Sequence, residues 1–390
     1  MREAIVSRAF PAASIAVTHL GKLVALQSFG KFVHENSLEG ALPVAGGSLA
    51  GPGGNLDVEV SPSTLFDLAS VTKAVATTTV AMILHERGLL ELEAPVCGTV
   101  PEFLTDDPRR GSVTFRMILA HCSGLPAYEK LFLRARTREE LLQAAVTTPL
   151  TADPGTRAEY SDIGFIVLGL ALERLAGELL DAFCQREVFG PLGMTRTTFN
   201  PPRELRPRIP PTADEREIEA NPTKPHSTFR NRIVQGEVQD ENAFVLGGVA
   251  GHAGLFATAG DLARFAHGML SGGRPILRPE TIALFARREP APPGTSRALG
   301  WDTPSAPSQS GKYFSTHSYG HLGYTGTSLW IDSDRQLSIS FLTNRTWPDC
   351  SNQAIKQVRP KVHDSIVGSL DESVTAETAK TVRSDRGEVR

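Results

Sequence analysis

Leu65-Phe66-Asp67-Leu68-Ala69-Ser70-Val71-Thr72-Lys73 is the stretch on which the reading of this chain turns. From Ser70 to about Leu90 the pattern is helical. Val75, Val80, Met82, Ile83 and Leu89 recur at helical spacing, and Gly88 stands near the end. Ser70 therefore sits at a helix N-terminus, with its hydroxyl among free backbone N–H groups at the positive end of the dipole. Residues three apart share a helix face, so Lys73 can reach Ser70. A serine hydroxyl attacks well only when a base takes its proton. A lysine can be that base only if desolvation or a nearby cation lowers its pKa. Ser-x-x-Lys is also what a helix N-cap serine looks like, so other elements must support the chemistry.

Upstream, Ser14 to His19 and Lys22 to Phe29 read as two strands joined at His-Leu-Gly, 19–21. Residues 36–57 are rich in Gly, Ala, Leu and Pro without periodicity and are expected to be a mobile surface loop. Downstream, helices are expected at 114–120, 138–147, 162–176 and 178–186, and Pro, Arg and Asp crowd a long connection at 201–226. A glycine-rich segment, Gly247 to Gly260, precedes helices at 261–270 and near 279–287. Residues 327–332 and 336–343 read as adjacent strands, a helix at about 352–368 follows, and the polar stretch from Asp371 to Arg390 is expected to be a disordered tail.

Strands lie at both ends and helices between. The expected class is α/β: an antiparallel sheet built from both termini, flanked by helices, with a mostly helical domain inserted. The expected boundaries are 1–75 with 245–370 for the sandwich and 76–244 for the helical domain, with 371–390 as the tail.

The chain has 390 residues, with 40 basic and 43 acidic side chains and a net charge of −3. No basic run interleaved with aromatics appears, so a nucleic-acid partner is not expected. No signal-peptide pattern and no apolar run long enough for a transmembrane segment is visible, which points to a cytoplasmic location. Cys97, Cys122, Cys184 and Cys350 are scattered and are expected to be buried free thiols. No metal-ligand spacing occurs, and no cofactor is expected.

Two further elements could serve the Ser70 chemistry. Tyr160-Ser161-Asp162 precedes an apolar helix, where Ser161 or Asp162 could cap the helix and the Tyr160 phenol could relay a proton between Ser70 and Lys73. His321-Leu322-Gly323 precedes a strand, where a basic residue could face a substrate while a neighbouring backbone N–H points at an oxyanion. His121 and His252 are expected to fix loops by hydrogen bonding. No complete nucleophile elbow of the α/β-hydrolase type occurs.

Taken together, these elements resemble the serine β-lactamase and penicillin-binding-protein superfamily, in particular its class C β-lactamase-like branch of esterases, D-aminopeptidases and D-alanyl-D-alanine carboxypeptidases. His121-Cys122-Ser123-Gly124-Leu125, Pro191-Leu192-Gly193-Met194 and the run from Gly254 to Leu262 carry the resemblance further, from about residue 10 to about 365. The resemblance implies an α/β sandwich beside a helical domain, with the site in the cleft. It implies Ser70 as nucleophile, Lys73 as base or proton shuttle, Tyr160 as general acid/base and His321 at the family's basic position. The implied oxyanion hole is the backbone N–H groups of Ser70 and Tyr324.

Two positions depart from the family pattern. Asp162 stands where the Tyr-x-Asn motif has asparagine, and a carboxylate only accepts hydrogen bonds and favours a charged Lys73. Leu322 stands where a hydroxyl residue is usual and removes a donor beside Gly323. The expected function is an esterase-like serine hydrolase acting on a small ester or amide. The alternatives are a D-amino-acid peptidase or DD-carboxypeptidase, a weak β-lactamase, and a non-catalytic ligand-binding protein on the same fold.

Overall fold

The computed structural model describes residues 1–34, 56–216, 229–348 and 350–385. The loop expected at 36–57 lies outside them except for its last two residues.

The main sheet has five strands: β1 (Ala12–His19), β2 (Lys22–Gly30), β3 (Tyr319–Leu322), β4 (Ser328–Asp332) and β5 (Leu337–Thr343), in the order β2-β1-β5-β4-β3. All pairings are antiparallel, with Ala16 opposite Ser340 where the two ends of the chain meet. Side chains alternate across a strand. Accordingly Ala12 and Ala16 face the larger core with Leu262, Phe265 and Ala266, whereas Ala13, Ile15 and Val17 face a smaller core with Ile355 and Val367. Helices thus cover both faces, Ala259–Leu270 on one and the helix starting at Ile355 on the other. Two covered faces explain why β1 is apolar almost throughout rather than alternating. The larger core continues into the helical region around Asp162–Ala176, which is buried nearly all round.

Three departures from the sequence reading stand out. His321 and Leu322 stand ahead of the expected strand, now β4, but themselves end the edge strand β3, opposite Leu329 and Ser328. The long connection holds a short strand, Pro211–Asp214, paired with Ile233–Gln235; its four residues begin with proline and give no alternation to read. The last helix runs Ile355–Asp385, so the segment from Asp371, expected as a disordered tail, continues that helix through residues such as Glu372, Ala376, Glu377 and Lys380 that favour helix. All four cysteines are free thiols, but Cys97 and Cys350 are only half-buried. No helix among the described residues is long and apolar enough to cross a membrane.

Candidate active site

The nucleophile turn is built under strain. A short strand, Phe66–Asp67, pairs with Leu255–Ala257 and ends at Leu68. Ala69 then takes a φ of 46°, a left-handed conformation that costs a non-glycine residue about 1–2 kcal/mol. The buried Asp67 carboxylate holds this turn by accepting from the Ala69 N–H at 2.8 Å and the Gln239 N–H at 2.7 Å. Burial pushes the Asp67 pKa up to about 6. Ser70 follows, and the helix runs on through a π-helical stretch, Lys73–Thr78, into Thr79–Glu86. The turn that leads into strand β4 is fastened to the same place: Thr325 Oγ1 donates to the Asp67 carbonyl at 2.7 Å and Thr327 Oγ1 to the Leu68 carbonyl at 2.8 Å. A Cβ at Gly323 would lie 2.4 Å from that Leu68 oxygen, so glycine is required for the approach. The Ser70 and Tyr324 N–H groups, the expected oxyanion donors, make no hydrogen bond among the described residues.

Lys73 is fully buried and completely bonded. Its Nζ donates to Ser70 Oγ at 3.0 Å, Asp162 Oδ1 at 2.6 Å and the His252 carbonyl at 2.9 Å. Burial opposes its charge, but the Asp162 carboxylate outweighs burial and raises its pKa above the ordinary value. Lys73 is therefore an ammonium in the resting site. The His252 carbonyl is brought within reach by close helix packing: a Cβ on Gly251 would fall 2.2 Å from the Phe165 carbonyl, and Thr77 Oγ1 donates to the Gly251 carbonyl at 2.6 Å.

Of the two possible caps, Ser161 is the one used. Its Oγ accepts from the Gly164 N–H at 3.0 Å, which leaves Asp162 free to face Lys73. His121 fixes this turn by accepting the Ser161 N–H at its Nδ1, and its ring lies against Tyr160 with centroids 4.6 Å apart and planes tilted by 36°. His252 also binds within its loop, through Asp240 at 2.7 Å. Tyr160 lies beside Ser70 and Lys73 with its hydroxyl buried and meeting neither at hydrogen-bonding geometry. Burial raises its pKa against the pull of Lys73, so the phenol is protonated.

His321 differs from the expected basic group. Its Nδ1 donates to the Leu322 carbonyl at 2.8 Å, its Nε2 has no partner, and burial with Lys73 nearby lowers its pKa to about 3. It is a neutral imidazole close to Tyr160, with ring centroids 5.9 Å apart. Arg297, which the sequence reading missed, lies 5.2 Å from the Tyr160 ring centre and pairs with Asp302 at 3.3 Å. It comes from a segment without regular structure, and nothing in its local sequence marks it.

These groups open onto a cavity of about 810 Å³ that continues past Leu322, Gly323 and Tyr324. Tyr128, Phe132, Leu133 and Phe229 give it an apolar wall. A family model described as beta-lactamase matches residues 1–359 of the chain. The protein belongs to the β-lactamase family. Relatives of this β-lactamase-family protein include an N-acetylmuramyl-L-alanine amidase from Bacillus subtilis (strain 168), 30% identical over 366 residues, covering 88% of this chain and 79% of that one. A protein provisionally named D-alanyl-D-alanine carboxypeptidase from Escherichia coli (strain K12) is 32% identical over 309 residues, covering 74% and 70%. Among solved structures, EstCE1, a hydrolase with promiscuous acyltransferase activity, superposes with a TM-score of 0.72 at 20% identity, covering 94% of this chain and 96% of that one; it supports the fold.

Proposed function

We propose that this β-lactamase-family protein is a serine hydrolase that forms an acyl-enzyme on Ser70 and prefers small esters. The observation that carries the reading is the buried Lys73 ammonium, bonded at once to Ser70 Oγ and to Asp162. An ammonium cannot accept the Ser70 proton. Moving one proton along the 2.6 Å bond to Asp162 gives a neutral amine and a neutral acid. Closing the cavity with a substrate favours that uncharged pair, because water no longer solvates the charges. The amine then takes the Ser70 proton as Oγ attacks the carbonyl carbon, and the N–H groups of Ser70 and Tyr324 receive the oxyanion. Tyr160 gives its proton to the leaving oxygen and regains one from Lys73. The Ser70 proton thus ends on the leaving group, and water repeats the sequence to free the acid.

Leu322 and Asp162 support the ester preference. The first offers no hydrogen bond to a carboxylate next to the scissile bond, and the second carries negative charge close by while His321 is neutral. The amidase and carboxypeptidase names of two relatives keep a D-amino-acid peptidase as the second reading. A fluorophosphonate probe followed by peptide mass spectrometry tests the nucleophile. The adduct is expected on Ser70 and is expected to vanish in Ser70→Ala. Labelling that survives in that variant would exclude the assignment. Side-by-side rates on p-nitrophenyl butyrate, nitrocefin and D-alanyl peptides test the preference, with the ester expected to lead.

A further inference from the structure

We propose that the cavity wall formed by Arg345, Arg359 and Lys356 binds a carboxylate of the substrate carried some bonds away from the scissile carbonyl. This deepens the reading of Ser70 as nucleophile in the same cavity and rests on it. Arg345 and Arg359 are 6% and 4% exposed, and both line the cavity that holds Ser70. Every protein acceptor they meet is neutral. Arg345 Nε donates to the Tyr324 carbonyl at 2.7 Å, and its Nη1 donates to the Cys350 and Asn352 carbonyls at 2.8 and 3.3 Å. Arg359 Nη1 donates to Gln309 Oε1 at 2.9 Å, its Nη2 reaches the Thr327 carbonyl at 3.4 Å, and its buried Nε has no partner.

Neither guanidinium has a carboxylate partner among the described residues. Buried charges are normally paired, and two like charges near each other are costlier still. Four of the five carboxylates that line the cavity are paired within the protein: Asp162 with Lys73, Asp240 with His252, Glu215 with Arg230 and Asp302 with Arg297. Among the described residues the arginine side of the cleft therefore carries two cations that no carboxylate meets, to which the exposed Lys356 adds a third. Leu322 packs in the same apolar cluster as Ile355, one helical turn before Arg359. A substrate arm running along Leu322 is led towards the arginines. Neither arginine bonds to Ser70, Lys73, Tyr160 or Asp162, so the anion site is built from contacts separate from those that hold the nucleophile.

Two ester pairs of matched shape test this at neutral pH. Mono-p-nitrophenyl adipate against its methyl ester puts the charge on the acyl side, and 4-acetoxybenzoate against methyl 4-acetoxybenzoate puts it on the leaving group. The acid is expected to exceed its neutral partner in kcat/KM by about tenfold or more in one pair, the range for a charge-assisted hydrogen bond. That ratio should fall towards one in Arg359→Met, fall partly in the exposed-site variant Lys356→Glu, and be largely kept in Arg359→Lys. Ratios near one in both pairs, or a ratio that neither variant moves, overturn the proposal. Calorimetric titration with adipate separates this failure from a failure of the Ser70 reading. Adipate that binds the unaltered protein and not Arg359→Met supports the subsite even if no ester is cleaved. Absence of adipate binding together with absence of turnover overturns it.

Discussion

Lys73 and His321 are both basic residues, both buried in one cleft, and they end in opposite charge states. Burial pushes each towards its neutral form. Lys73 meets a carboxylate at 2.6 Å and stays charged, whereas His321 meets only a backbone carbonyl and is neutral. The charge of this site is therefore set by where the carboxylate stands rather than by how dry the cleft is. Asp162 commits its charge to Lys73 on the nucleophile side, and the His321 side of the scissile bond is left to recognise substrate without a charge of its own.

The largest way to break this contrast is to remove the groups that move the Ser70 proton. Lys73→Ala should lower kcat at least as far as Tyr160→Phe, and Tyr160→Phe should lower it by about 10²–10⁴, the range for a lost general acid/base. Circular dichroism would check that Tyr160→Phe remains folded. An unchanged kcat in a folded Tyr160→Phe protein would reduce Tyr160 to packing between His121 and His321.

A smaller and more diagnostic effect is expected from Asp162→Asn. The Asp162 carboxylate raises the Lys73 pKa against burial, so its removal lets burial act alone and brings that pKa down. The neutral amine is the form that accepts the Ser70 proton. The acid limb of the kcat/KM profile should therefore move to lower pH, by about one unit or more. An acid limb that stays in place in Asp162→Asn would mean that Lys73 does not set the site's ionisation.

Much of this arrangement was legible before any coordinates, and the unread part has a common cause. Ser70, Lys73, Tyr160 and Asp162 lie at or next to helix starts, where capping residues and 3.6-residue periodicity leave a mark in the sequence. The clash between Asp162 and a free-amine lysine could be read from residue types alone. The neutrality of His321 could not, because it depends on edge strand β3 burying the ring beside Tyr160 and near Lys73. Arg297, Arg345 and Arg359 also left no local signal. What sets them apart is what they meet, the Tyr160 ring for Arg297 and neutral acceptors for Arg345 and Arg359, and that is fixed only when distant segments pack together. The same holds for the end of the last helix, where polar composition suggested disorder while the residue types still favoured helix.

The smallest expected effect concerns Leu322, and it tests the neutral side of the contrast directly. Leu322 is in β3 opposite Ser328, with its side chain half-buried against the apolar cluster around Ile355. A β-lactam brings a carboxylate close to its scissile bond. Against Leu322 that carboxylate loses water and gains no donor, which costs about 1–3 kcal/mol. His321 does not offset this cost, because it is uncharged at neutral pH. A short-chain ester carries no charge there and loses nothing comparable. Leu322→Thr restores a hydroxyl donor at the strand edge without changing the backbone register. The ratio of nitrocefin to p-nitrophenyl butyrate kcat/KM should rise by about tenfold or more, tenfold being the lower end of the span for one recovered hydrogen bond to an anion. Ester turnover should change little, since the nucleophile and its proton relay are untouched. Efficient nitrocefin hydrolysis by the unaltered protein, with negligible ester activity, would show that the apolar residue at 322 does not exclude the lactam carboxylate and that the anion is held elsewhere in the cleft.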